Sequence, residues 1–138
     1  MYKIILSLLL ACTVVYAKDP SPKKIDINLA RMSGTMVYAQ VYKMVTEPAK
    51  FIGKRVKMKG VFSSYYDEET KKRFYGCVIA DALACCSQGL AFELAKARKF
   101  PDEFPAEGAE ITIIGDFEMA EEGDDAYPVI RNAKLSNE

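Results

Sequence analysis

Three cysteines carry most of the reactive chemistry this sequence offers: Cys77 and the adjacent pair Cys85 and Cys86. The chain has no histidine and no tryptophan. Ser-His-Asp triads, Cys-His dyads, His-rich zinc sites and histidine-ligated haem are therefore excluded as self-contained sites. Cys77, Cys85 and Cys86 are the three of the four cysteines that remain once a leader carrying Cys12 is removed. In an oxidising compartment, an odd number means a disulfide plus a free thiol, an intermolecular bridge, or thiolates holding a metal. The structural reading is a bridge from Cys77 to one of the pair, across a hairpin turning at Asp81 to Leu83. There, cross-strand Cα separations of about 4.5 to 5.5 Å suit a disulfide. The metal reading is a thiophilic ion, copper(I) or zinc, with Asp81 or Glu93 completing a zinc shell. Against it, neighbouring side chains on extended backbone point apart. Thiol-disulfide exchange is a third reading, weakened by the missing Cys-x-x-Cys and by the lack of an evident helix N-terminus to lower a thiol pKa. Catalysis is not expected.

The compartment follows from the leader. Residues 1–17 hold one basic residue, Lys3, then an apolar run from Ile4 to Val15, then Val15-Tyr16-Ala17. That is the pattern of a secretory signal peptide, and the run stops short of the roughly 20 residues a spanning helix needs. Leu9-Leu10-Ala11-Cys12 also resembles a bacterial lipobox, which makes Cys12 the lipidation alternative. The apolar run continuing past Cys12 favours cleavage after Ala17. Either route exports the domain to the periplasm or beyond, with a membrane tie only if Cys12 carries lipid.

The elements that must position these residues can be read from periodicity. The 138 residues allow one domain, half of them hydrophobic, with 19 basic side chains balanced by 19 acidic. Residues 18–24 are a polar linker, and 25–138 form the domain. Ile25, Ile27 and Leu29 alternate with polar residues as a short extended lead-in. Val37, Val41, Met44 and Val45 recur at helical spacing beside Tyr38 and Tyr42, predicting an amphipathic helix over 35–46 that ends at Glu47-Pro48. Five alternating segments follow: Val56 to Tyr65, Arg73 to Ala80, a third around Leu90, Phe92 and Leu94, a fourth around Ile111, Ile113, Gly115 and Phe117, and Tyr127 to Ala133. Glycines inside strands, at Gly60 and Gly115, mark sharp curling. The reading is a mainly β domain, a five-stranded OB-like barrel with an N-terminal helix.

Outside the cysteines, four residues are candidates for a ligand face. Tyr65 and Tyr75, with Tyr66 and Phe74 beside them, form an aromatic group on which sugar rings or bases stack. Lys57 and Lys59, in the stripe with Lys54 and Arg55, could cradle an anion, though such a stripe is more simply the wet face of a strand. The six acids between Asp116 and Asp125 lack the ordering of a calcium loop and read as a solvated hairpin turn. Near-neutral charge, a pI near 6.4 and export argue against a nucleic-acid partner. The expected partner is an envelope protein or a small ligand.

Three segments also carry a resemblance. Glu47-Pro48-Ala49-Lys50-Phe51-Ile52-Gly53-Lys54-Arg55-Val56-Lys57-Met58-Lys59-Gly60 resembles the lead-in and first barrel strand of many bacterial OB-fold envelope proteins, with a matching segment from Gly108 to Phe117. The stretch from Cys77 to Glu93, with Cys85-Cys86-Ser87-Gln88-Gly89, is similar to a group of uncharacterised secreted or lipid-anchored bacterial proteins with a Cys-Cys-x-x-Gly segment. It is more distantly similar to the OB-like domain of a permease-associated family. The resemblance implies a fold and an envelope location, and no activity.

Overall fold

The computed structural model describes residues 23–80 and 87–136. The leader, Cys12, all but the end of the linker, and Asp81, Cys85 and Cys86 lie outside the described residues. The first ordered piece is β1 (Ile27–Asn28), followed by a single 3-10 turn (Leu29–Arg31) and by α1 (Gly34–Thr46). A second 3-10 turn (Pro48–Lys50) leads to the barrel strands: β2 (Arg55–Asp67), β3 (Lys72–Ala80), β4 (Ser87–Leu94), β5 (Glu110–Glu122) and β6 (Asp125–Ser136).

α1 falls where the apolar spacing predicts it. Its buried stripe is Val37, Val41 and Met44, and it packs against β3, β4 and β6. Fully burying Val41 and Met44 contributes about 2 kcal/mol each before entropy is counted. Tyr42 and Val45 lie off that stripe and stay exposed. Pro48 has no amide hydrogen to donate, so the helix gives way to the short turn after it.

The strand order is β2-β3-β4-β6-β5, closed by antiparallel pairing of β5 back onto β2, with β1 added outside β2. All barrel neighbours are antiparallel except β4 and β6, which run parallel. Five strands closed in this order make an OB-type barrel. Alternation sends Val56, Met58, Phe62, Cys77, Leu90, Phe92, Ile113, Phe117 and Ile130 inward, each at most 2 % exposed.

Gly60 and Gly115 are where the sheet curls hardest. A Cβ on Gly60 would sit 2.6 Å from the Val78 carbonyl oxygen, and one on Gly115 would sit 2.6 Å from that of Arg131. Opposite Gly115 the ladder slips by one residue, and Asn132 takes the left-handed conformation, φ 51°, as a bulged strand allows.

Two loops differ from expectation. The acidic run is not a long turn: β5 continues to Glu122, and only Gly123 and Asp124 separate the paired residues Glu122 and Asp125. The strand absorbs the acids because cations face them: Arg131 Nη1 lies 3.2 Å from Glu118, and Lys72 Nζ lies 2.8 Å from Glu122. Gly123, at φ 61°, opens the two-residue turn in the manner of type II′. The basic stripe on β2 is likewise not simply wet. Arg55 lies 3.0 Å from Asp116 with both side chains under 20 % exposed, and the Asp26 carboxylate accepts the Arg55 amide at 2.8 Å.

Candidate functional site

The ends and faces of the barrel are built by different residues. The connection between β4 and β5, residues 95–109, folds back so that Phe100 and Phe104 pack on the core. Phe104 stacks on Tyr75 with centroids 4.3 Å apart, and Tyr75 in turn meets Phe62 and Phe92 at 6.1 Å. Burial in this cluster raises the Tyr75 phenol above its ordinary pKa. Arg73 lies between Phe100, 4.0 Å from its ring centroid, and Tyr66, at 5.2 Å. Such contacts hold a guanidinium against the rings.

On the outer side of the same strands lies a groove of about 480 Å³, lined from β3, β4 and β6 and bordered by the connection through Ala97, Arg98 and Phe104. Phe74 and Tyr127 meet edge to face across it, 6.2 Å between centroids. Ala91 and Val129 form part of its lining, and they pair with each other across the parallel seam, so a small side chain lets a ligand approach the sheet. Glu93 and Glu122 line it as well. Burial raises the Tyr127 phenol, and the two carboxylates push it further the same way. The Lys72 ammonium is also held above its ordinary pKa, first by its hydrogen bond to Glu122.

Of the four residues expected to share a ligand face, Tyr65 and Tyr75 line one pocket of about 220 Å³ beside Phe74, and Lys57 and Lys59 do not line it. Tyr65 pairs with Phe74, whereas Tyr75, the next residue, pairs with Ser64. Tyr65 therefore points outward at 66 % exposure and Tyr75 into the aromatic cluster, since successive strand residues face opposite ways. Lys57 and Lys59 project from the outer side of β2, paired with Ile114 and Thr112. Lys59 lies 2.9 Å from Glu110, and six residues of strand, about 20 Å, separate it from Tyr65. The sequence reading missed Tyr127, Arg73 and Arg98. Tyr127 was legible only as a strand residue, and nothing local announces that it meets Phe74.

The hairpin of β3 and β4 also differs from the expected one. Ala80 pairs with Ser87 and Cys77 with Leu90; the expected turn at Asp81 to Leu83 and the pair Cys85 and Cys86 lie outside the described residues. Cys77 is a free thiol, wholly buried, and desolvation pushes its pKa up to about 12. A thiolate there would carry a large burial cost. Among the described residues no group of three or more His, Cys, Asp or Glu is gathered to hold an ion. Two of the three cysteines behind the copper or zinc expectation fall outside them.

No family model matches the chain, and no curated protein does. Among solved structures it is similar to a protein from Klebsiella pneumoniae described as a "putative nucleic acid-binding lipoprotein". The identity is 23%, covering 72% of this chain and 88% of that one, with a TM-score of 0.47. The strand order, not this likeness, carries the fold assignment. One expectation is corrected nonetheless. The expectation of no nucleic-acid partner, drawn from the expected export and near-neutral charge, is contradicted by the description of the Klebsiella protein, which names both lipoprotein and nucleic-acid binding. No helix among the described residues is long and apolar enough to cross a membrane.

Proposed function

We propose that this chain is a non-catalytic binding module of the bacterial envelope, exported by its leader, that holds a ring-bearing polar ligand in the outer groove of β3, β4 and β6. The observation that carries this reading is the Phe74 and Tyr127 pair, set in a groove lined by charges of both signs. Aromatic faces stack on sugar rings or bases, and OB barrels bind oligosaccharides and oligonucleotides on the corresponding face. The mixture of signs favours a sugar. Lys72 is already engaged by Glu122, and Arg131 by Glu93 and Glu118. The two groove carboxylates oppose a ligand with a phosphate at every residue.

Isothermal titration of the mature protein with neutral and acidic oligosaccharides, and with short single-stranded DNA and RNA, tests the reading. Saccharide binding that falls about tenfold or more in Phe74→Ala supports it, a stacked ring being worth roughly 1–3 kcal/mol. Binding confined to oligonucleotides, with a steep salt dependence, overturns the saccharide assignment. Saccharide binding untouched by Phe74→Ala overturns the groove.

A further inference from the structure

The charges around the groove are not evenly answered. Glu93, Glu122, Lys72 and Arg131 are ion-paired, but two guanidinium groups lining the same cavity, Arg73 and Arg98, have no carboxylate within ion-pair distance among the described residues. Arg73 donates to the Ser64 hydroxyl at 3.4 Å. That hydroxyl in turn hydrogen-bonds Glu107. Its remaining contacts are the rings of Tyr66 and Phe100. Arg98 donates to the backbone carbonyl of Glu103 at 3.4 Å. A half-buried guanidinium packed between two rings has lost rotamer freedom in advance, and its planar fork matches a carboxylate or phosphate.

We infer that the groove holds an anion subsite formed by Arg73 and Arg98, and that the ligand is an acidic saccharide carrying a single carboxylate. This rests on the saccharide reading and narrows it. One anionic group per ligand answers the two unpaired guanidinium groups in the lining. Uncharged rings suit the rest of a lining that also holds Glu93, Glu122, Phe74 and Tyr127. A polyanion would bring further phosphates against those two carboxylates. The two arginines come from elements far apart in sequence, β3 and the connection after β4, so the subsite exists only in the folded barrel.

The test is calorimetric titration of the mature chain with a disaccharide ending in one uronate and with its uncharged parent, for wild type, Arg98→Gln and Arg73→Lys. Arg98 is exposed, and its loss leaves the core intact. The expected result is a uronate-to-neutral preference of about tenfold in wild type, lost in Arg98→Gln and reduced in Arg73→Lys. Equal affinity of wild type for both sugars, still abolished by Phe74→Ala, overturns the anion subsite and leaves the groove reading standing. Failure of both sugars where a short single-stranded oligonucleotide binds overturns both.

Discussion

Replacing Gly115 by alanine strikes the tightest point of the barrel. The new Cβ would lie 2.5 Å from Ile130 Cγ2, 2.6 Å from the Arg131 carbonyl oxygen and 3.1 Å from Ala133 Cα. Two of the three obstacles are backbone, so no side chain can swing aside. The carbonyl falls about 0.8 Å short of ordinary contact at 3.4 Å, and β6 must move by that much or β5 must flatten. Overpacking of this kind costs about 3 kcal/mol, at the upper end of the usual range. For a domain near 110 residues that lowers Tm by about 12 °C. Gly76→Ala is the matched control, because its Cβ would meet nothing closer than 3.9 Å. With room available, loss of glycine's unfolded-state entropy stabilises by about 0.5 kcal/mol. Thermal melts by far-ultraviolet circular dichroism, paired with urea unfolding to confirm an unchanged m-value, measure both variants. If Gly115→Ala unfolds within about 1 kcal/mol of wild type, or if the two alanines cost the same, close approach of β5 and β6 is not what fixes a glycine at 115.

Two further outcomes follow from buried groups. Cys77 should resist alkylation at pH 8 in the folded protein and react once urea exposes it, as read by peptide mass spectrometry. Its pKa is raised from 9.0 to about 12, so the folded state keeps a proton that the unfolded state loses. That contribution to stability is whole below pH 9 and declines by up to about 4 kcal/mol as pH rises to 12. Wild type should therefore lose more stability across this window than Cys77→Ala does, and parallel curves would refute it. Asp116→Ala should cost about 2 kcal/mol by leaving the partly buried Arg55 unanswered, whereas Glu68→Ala, which breaks an exposed pair with Lys71, should cost under about 0.5 kcal/mol in the same urea assay.

Legibility in the sequence tracked the range of the interactions. The helix from Val37 to Met44, the inward alternation of Val56 and Met58, and the curling at Gly60 and Gly115 are local patterns, and all appear as read. Strand lengths were misjudged at the acidic run because the ion pairs that keep those acids on β5 come from Lys72 and Arg131, far away in sequence. Leu90 is the residue paired with Cys77, and the expected bridge to Cys85 or Cys86 falls outside the described residues. Of the ligand-face candidates, Tyr65 and Tyr75 line one pocket with Phe74 between β2 and β3, while Lys57 and Lys59 stand farther along β2. Phe104, Arg73 and Arg98 were invisible as a group. The connection carrying Phe104 and Arg98 has no periodicity, and its course is set by the aromatic cluster it covers.

β6 is the final strand along the chain, yet it is inserted between β4 and β5 rather than added at an edge. A chain that folds from its N-terminus therefore has two unzipped seams until residues 125–136 are added. Because the β4–β6 seam joins residues as far apart as Ala91 and Val129, whereas β5 and β6 form a hairpin, closure of the ring at β4 comes late. Until then β4 and β5 each offer an unprotected edge to other chains, so the segment from Asp125 to Ser136 acts as the keystone that ends the molecule's window for misassembly.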